Sequence, residues 1–278
     1  MKIAVTGARG MLASVLTRRL SALGHETLPL DLPEHDLLRF DAVKDYLRAA
    51  RPDFIYNCAA FTNVDLCETE PEQARAVNAL AAGNLAELAA ELNIPILQIS
   101  TDYVFSGDAV KPYLPEAPAA PLSVYGQTKA EGERLIQKAP KFFIVRTAWL
   151  YGRDGKNFVE TMLKQARMNS ALKVVNDQRG APTLVDDLVE ALSVFLTCQK
   201  YGIYHFTNSG ETTWYDFTRE FFGLLNIAVP VQPCASAEFP RPARRPAYSV
   251  LDLRKTQETF GLKIPAWQDA IRRYIKGR

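Results

Sequence analysis

Lys2-Ile3-Ala4-Val5-Thr6-Gly7-Ala8-Arg9-Gly10-Met11-Leu12-Ala13 is the stretch on which the fold turns. Its first five residues form a β-rich run. Gly7 then permits a tight turn, and a helical pattern opens near Leu12 and continues to about residue 23. A strand that feeds a helix through a glycine loop leaves free N–H groups and a favourable dipole aimed at one point, and such a point attracts a phosphate-bearing anion. Gly10 lets the backbone approach that anion closely. The spacing is GxxGxxA, with Ala13 where a third glycine would allow close helix–strand packing; alanine is the smallest side chain that can substitute there.

Outward from this loop, the first half alternates short apolar runs with helical patterns. Strands are expected at 27–30, 54–57, 94–100 and 142–147, and helices at 42–50, 71–92 and 124–138. Alternation of this kind predicts a parallel sheet with right-handed crossovers. Runs such as Phe54-Ile55-Tyr56 are almost wholly apolar, as required when both sheet faces are covered. The expected fold is therefore α/β, a Rossmann-type doubly wound parallel sheet in residues 1–150. Residues 151–278 are expected to form mainly a smaller C-terminal substrate lobe, with the chain crossing back to the sheet. In that half, helices are read at 157–167, from 183–187 to about 196, and at 213–225 behind a Thr213 cap. Strands are read at 172–175 and 202–206. The proline-rich stretch 229–246 reads as an ordered loop, and a last helix begins near Pro265.

Composition narrows the function. With 47% apolar and 23% charged residues and a net charge of +2, the chain has the balance of a soluble globular protein. Its basic residues come in pairs such as Arg18-Arg19 and Arg272-Arg273 rather than in stripes, so no nucleic-acid partner is expected. The chain opens directly on a strand and has no apolar run of membrane-spanning length, which points to a cytoplasmic protein with no membrane partner. Four scattered cysteines and three histidines show no zinc-like spacing, so reduced thiols and no metal are expected.

The glycine loop gains meaning from what surrounds it. A strand precedes it, a helix follows, and Asp31 closes the next strand where a carboxylate can hold a ribose hydroxyl of a dinucleotide. Asp31 can equally cap a turn. Arg9 offers a guanidinium to a 2′-phosphate and so favours NADPH, with NADH left open. The cofactor set read here is Gly7, Arg9, Gly10, Met11, Leu12 and Asp31, with Asp36 and Leu37 framing the adenine. Ala59, Ala60 and Thr62 line the path after the third strand.

Tyr125-Gly126-Gln127-Thr128-Lys129 places a tyrosine and a lysine four residues apart on one helix face. Hydride delivered to a carbonyl carbon leaves an alkoxide that needs a proton, and a tyrosine hydroxyl can supply it. A free phenol has a pKa of about 10, so a neighbouring ammonium helps by favouring the phenolate on the return. An exposed tyrosine above a surface lysine is the commonplace alternative. Thr101, at the end of the fourth strand where open sheets hold their ligands, argues against it. Thr101, Tyr125 and Lys129 form the expected catalytic trio, with Tyr125 and Lys129 also touching the cofactor.

These motifs resemble the extended short-chain dehydrogenase/reductase superfamily. More narrowly, the chain resembles the dTDP-4-dehydrorhamnose reductase family along nearly its whole length. The matching pieces include Asn57–Asp65, Ala76-Val77-Asn78, Ser100–Phe105, Arg146–Gly152, Asp177–Thr183, Gly202–Phe206, Thr213–Phe217 and Arg241–Leu251. The last departs by placing Tyr248 before the serine, where asparagine is common. The resemblance implies a nucleotide-sugar substrate whose 4-keto group is reduced, with Thr101, Asp102, Tyr103, Trp149 and Arg179 as substrate contacts. Arg241 is a further candidate for the diphosphate, and a monomer or homodimer is expected. Two rivals stay open: a non-catalytic dinucleotide-binding regulatory subunit, and a nucleotide-sugar epimerase that recycles its hydride.

Overall fold

The computed structural model describes residues 1–278. Six parallel strands form the central sheet: β1 (Lys2–Thr6), β2 (Glu26–Leu30), β3 (Phe54–Asn57), β4 (Ile96–Thr101), β5 (Phe142–Thr147) and β6 (Gly202–His205). Their order is β6-β5-β4-β3-β1-β2, with in-register parallel pairing throughout. The strand order reverses between β1 and β3, and a sheet of this kind opens its ligand crevice there.

Alternation along each strand decides which layer a side chain joins. Ile3, Val5, Phe54, Tyr56, Phe143 and Val145 pack on one face with helices α1 (Met11–Ala22) and α6 (Val185–Ser193). Ala4, Ile55, Ile96 and Ile144 pack on the other, with α2 (Phe40–Ala50), α3 (Ala81–Glu91) and α4 (Val124–Ile136). Burying each of the large side chains contributes about 1.5–3 kcal/mol, so the two apolar layers dominate the stability of the sheet. Ala13 is 1% exposed within the first layer, which fits the close helix–strand packing demanded of that position.

A second apolar core gathers the other elements: α5 (Phe158–Met168), α7 (Trp214–Leu224) and α9 (Trp267–Lys276), through Leu163, Phe217, Phe221, Trp267 and Ile271. Thr213 caps α7 by accepting from the Asp216 N–H at 3.1 Å. Between these helices, residues Leu172–Val175 pair in parallel with Val231–Cys234. The stretch 229–246 thus contains a strand, which its prolines concealed. Pro233 lies within this two-stranded edge pair, a position where a missing N–H is tolerated. A further helix, α8 (Arg254–Phe260), also escaped the sequence reading.

The helical pattern at 71–92 proves to be broken. Pro71–Arg75 and α3 are joined by a π-helical turn, Ala76–Leu80, a wider coil that often sits beside functional sites. The turn directs Asn78 at the catalytic-motif helix. Its side chain donates to Thr128 Oγ1 and to the Phe61 carbonyl, both at 3.1 Å, and accepts from the Phe61 N–H at 2.8 Å. Gly132 lies against the Asn78 carbonyl so closely that a β-carbon would run into it. Gly132→Ala is expected to lower stability by roughly 1–3 kcal/mol through overpacking. Gly223→Ala, on α7 with open space around it, is expected to raise stability by up to about 0.5–1 kcal/mol. Urea unfolding of the two variants checks the contrast.

Candidate active site

The glycine loop sits at the strand-order reversal. Gly7 has φ +62°, and a β-carbon there would lie 2.9 Å from the backbone of Ala59, so the loops after β1 and β3 pack backbone to backbone. A buried polar chain fixes that register: Thr6 donates to Asn57 at 2.5 Å, and Asn57 donates to Gln98 at 2.6 Å. Gly10 is the N-cap of α1 and offers no side chain to the free N–H groups, nor is there an acidic residue in the first turn. These N–H groups suit a pyrophosphate, so the residues present fit a dinucleotide.

Asp31 accepts from the Arg9 N–H at 2.6 Å and the Leu32 N–H at 2.8 Å. The carboxylate therefore braces the loop as a turn cap while remaining at the end of β2. The Arg9 guanidinium is exposed, donates to the Leu32 carbonyl and pairs with Glu34 at 3.3 Å. Asp36 accepts from the Leu38 N–H at 2.9 Å, with Leu37 half-buried beside it. Ala59 and Ala60 are half-buried and Thr62 is exposed along the loop after β3.

The tyrosine–lysine motif lies on α4, capped by Ser123, whose hydroxyl accepts from the Gly126 N–H at 3.2 Å. At Gly126 a β-carbon would strike the Tyr103 carbonyl, so the helix start can approach the end of β4 only with glycine there. That approach sets Tyr125 against Tyr103, ring centroids 5.5 Å apart and edge to face. Burial pushes the Tyr125 phenol well up, and a hydrogen-bonding contribution from the Thr101 hydroxyl draws it partly back. Lys129 is 3% exposed, and its ammonium donates to the Ile99 carbonyl at 2.7 Å. Burial lowers its pKa to about 8, against the opposing pull of Glu133 and Cys58. Tyr125 and Lys129 thus share a face, but the lysine's present partner is the backbone of β4.

One helical turn on, Glu133 completes the row Tyr125, Lys129, Glu133. Its carboxylate accepts from Arg146 Nε at 2.8 Å, Arg146 Nη2 at 2.6 Å and the Ser100 hydroxyl at 2.5 Å. Both charged side chains are at most 4% exposed. Arg146 also donates to the Pro115 carbonyl at 3.0 Å, lies 3.4 Å from His205 Nε2 and covers the Phe105 ring at 4.9 Å. His205 is fully buried in β6, and burial together with Arg146 lowers its pKa to about 3, so it is neutral and structural. The glutamate has no motif of its own. Its signal was the i+4 spacing beyond Lys129, together with a lone arginine inside the apolar run of β5.

The expected substrate contacts take varied positions. Thr101 and Asp102 are buried at the end of β4. Trp149 has φ +47°, strained for a bulky residue, and stacks on Trp214 of α7 with centroids 3.5 Å apart and planes 9° apart. The other side of the indole lies against Gly180, where no larger residue fits. Arg179 is exposed and paired with Glu211 at 2.8 Å. Arg241 pairs with Asp65 at 3.3 Å. Sequence reading missed that Arg245 also reaches Asp65, at 3.1 Å, from beside Tyr103. Burial raises the Asp65 carboxyl, but the hydrogen bonds from Arg245 and the Ala243 N–H outweigh it and leave the group below its ordinary value. The pairing straps the 241–247 segment over the loop after β3.

The sequence profile of the family described as RmlD substrate binding domain matches residues 1–278. A dTDP-4-dehydrorhamnose reductase of Sinorhizobium fredii is 40% identical, over 99% of this chain and 97% of its own. A probable dTDP-4,6-dihydroxy-2-methyloxan-3-one 4-ketoreductase of Streptomyces antibioticus is 43% identical, over 98% of this chain and 94% of its own. The crystal structure of a dTDP-4-dehydrorhamnose reductase from Bacillus anthracis, in complex with NADP, superposes with a TM-score of 0.97 at 34% identity. It covers 100% of this chain and 99% of that one.

Glu133→Ala leaves the Arg146 guanidinium buried without its carboxylate. The variant is expected to lose about 3–5 kcal/mol of stability, measured by chemical denaturation with cofactor absent.

Proposed function

The chain belongs to the RmlD substrate binding domain family, and on that footing we propose that it uses NADPH to reduce the 4-keto group of a dTDP-linked 6-deoxysugar, converting dTDP-4-dehydrorhamnose to dTDP-L-rhamnose. The observation that carries the reading is Tyr125 and Lys129 on one face of α4, with the Thr101 hydroxyl beside the Tyr125 phenol at the end of β4. The reductases named above, alike over almost the whole chain, support it, as does the NADP held by the Bacillus anthracis enzyme.

Gly7, Gly10, Met11 and Leu12 hold the pyrophosphate at the start of α1. Arg9 is exposed and can turn from Glu34 to a 2′-phosphate, with Asp31 setting the loop that carries it. Asp36 and Leu37 border the adenine, and Ala59, Ala60 and Thr62 line the way to the nicotinamide. When bound, the nicotinamide supplies two electrons and a hydrogen to the carbonyl carbon. Tyr125, neutral because burial raises its phenol, gives the proton to the carbonyl oxygen. Thr101 hydrogen-bonds the same oxygen. Lys129 holds the nicotinamide ribose and contributes positive charge near the phenol as its proton leaves. Asp102, Tyr103 and Trp149 surround the sugar, and Arg179 meets the diphosphate. We take the cytoplasm as the compartment, and a monomer or homodimer as the working unit.

The Streptomyces antibioticus relative favours a second reading within the same chemistry, a different dTDP-linked 4-ketosugar. Substrate competition between the two sugars separates them.

The test is oxidation of NADPH, followed by absorbance, on addition of dTDP-4-dehydrorhamnose. Sugar-dependent oxidation is expected, and none with intact cofactor binding would favour the regulatory-subunit rival. Tyr125→Phe should cut kcat by about 100-fold or more while leaving the Kd for NADPH nearly unchanged; unchanged turnover contradicts the acid assignment. Activity should also fall as pH rises through about 8, where Lys129 loses its charge. A profile flat there would remove the ammonium from the mechanism.

A further inference from the structure

Beyond its place beside the sugar, Asp102 has a buried setting that the proton transfer alone does not explain. It follows Thr101 at the end of β4, is 1% exposed, and its Oδ2 has no hydrogen-bond partner. Its Oδ1 lies 3.0 Å from the Thr101 hydroxyl, and that hydroxyl also accepts from the Tyr103 N–H at 3.2 Å. The Thr101 hydroxyl has one hydrogen. If that hydrogen goes to an ionised Asp102, Thr101 turns only lone pairs toward a carbonyl oxygen gaining negative charge. If Asp102 carries a proton, it becomes the donor, and the Thr101 hydrogen is released toward the reacting oxygen.

We propose that Asp102 is a positioning residue that sets which way the Thr101 hydroxyl donates, so that reduction proceeds with Asp102 neutral and slows with Asp102 ionised. The inference rests on the reductase reading and deepens it. The surroundings favour the neutral form. Burial pushes the carboxyl up to about 6, although the neighbouring Ser249 and Thr101 hydroxyls pull the other way. The titratable groups facing it are the Tyr103 and Tyr125 phenols, both raised by burial, with Arg245 and Asp65 beyond Tyr103. A sugar bound over this pocket excludes more water and shifts the carboxyl further in the same direction. An acid whose pKa is raised is neutral below that pKa, so the competent form prevails below about 6 in the free enzyme and is lost above it.

The experiment is the pH dependence of kcat/KM, which reports the groups of the free enzyme. The unchanged protein should show two falling limbs, one near about 6 from Asp102 and one near about 8 from Lys129. The lower limb should span roughly 100-fold, the worth of one hydrogen bond to a developing oxyanion. Asp102→Asn, whose amide can donate to Thr101 at any pH, should abolish the lower limb and keep the upper one. Ser249→Ala removes a hydroxyl that favours the ionised form and should move the lower limb to higher pH. A merely structural aspartate would do neither. Asp102→Asn that keeps the lower limb, or Ser249→Ala that leaves it unmoved, overturns the proposal; if the first variant does not fold, the second decides. If the unchanged protein oxidises no NADPH at any pH, the reductase reading fails. Infrared titration of the carboxyl stretch then decides the inference separately, and no group titrating near about 6 overturns it.

Discussion

A buried ion pair holds the candidate site in place. Glu133 on α4 and Arg146 on β5 meet in bidentate geometry, nearly free of solvent, with the Ser100 hydroxyl from β4 as third partner. Desolvating two charges is costly, and geometry this complete is what offsets the cost. Its consequence is positional: the helix that carries Tyr125 and Lys129 is tied to the strand that ends in Thr101. Gly126 and Gly132 then allow that helix to approach Tyr103 on one side and Asn78 on the other. The reactive groups come to one place because nothing larger than hydrogen separates these backbones.

The second half of the chain depends on the same frame. β6 returns to the sheet beside β5, and α6 covers the sheet face opposite α4, so the lobe is stitched to the sheet by its own elements. Across the opening, Trp149 stacks on Trp214 while its backbone is held in a left-handed conformation. Strain of about 1–3 kcal/mol at such a residue persists only where packing imposes it. Here Gly180 and Trp214 enclose the indole from both sides. The 241–247 segment is fastened to Asp65 by two arginines, Arg241 and Arg245, the second of them beside Tyr103.

Much of this was legible in the sequence because it is local. The strand-turn-helix at Gly7, the continuous apolar runs of the sheet strands and the i,i+4 spacing of Tyr125 and Lys129 are short-range patterns, and each lies in the structure near where it was read. The strand Val231–Cys234 was not legible, since two-stranded edge pairing tolerates the prolines that argue against a strand. The π turn at Asn78 was not either, because it answers packing on α4 rather than any local propensity. Long-range pairs were the least accessible. Glu133 with Arg146, and Asp65 with Arg245, are pairings that the separation along the chain does not show until the fold brings them together. Arg179, read in sequence as a diphosphate contact, is exposed in the structure and pairs with Glu211.

The most direct test of the account follows the hydrogen itself. NADPH deuterated at the transferable position of the nicotinamide is incubated with the protein and dTDP-4-dehydrorhamnose, and the sugar product is examined by NMR. The account predicts one deuterium at C4 of the sugar for each NADPH oxidised, because in the proposed reaction the reducing equivalents come from external cofactor. A sugar product formed without deuterium would contradict it, since hydrogen recycled within the site is the behaviour of an epimerase.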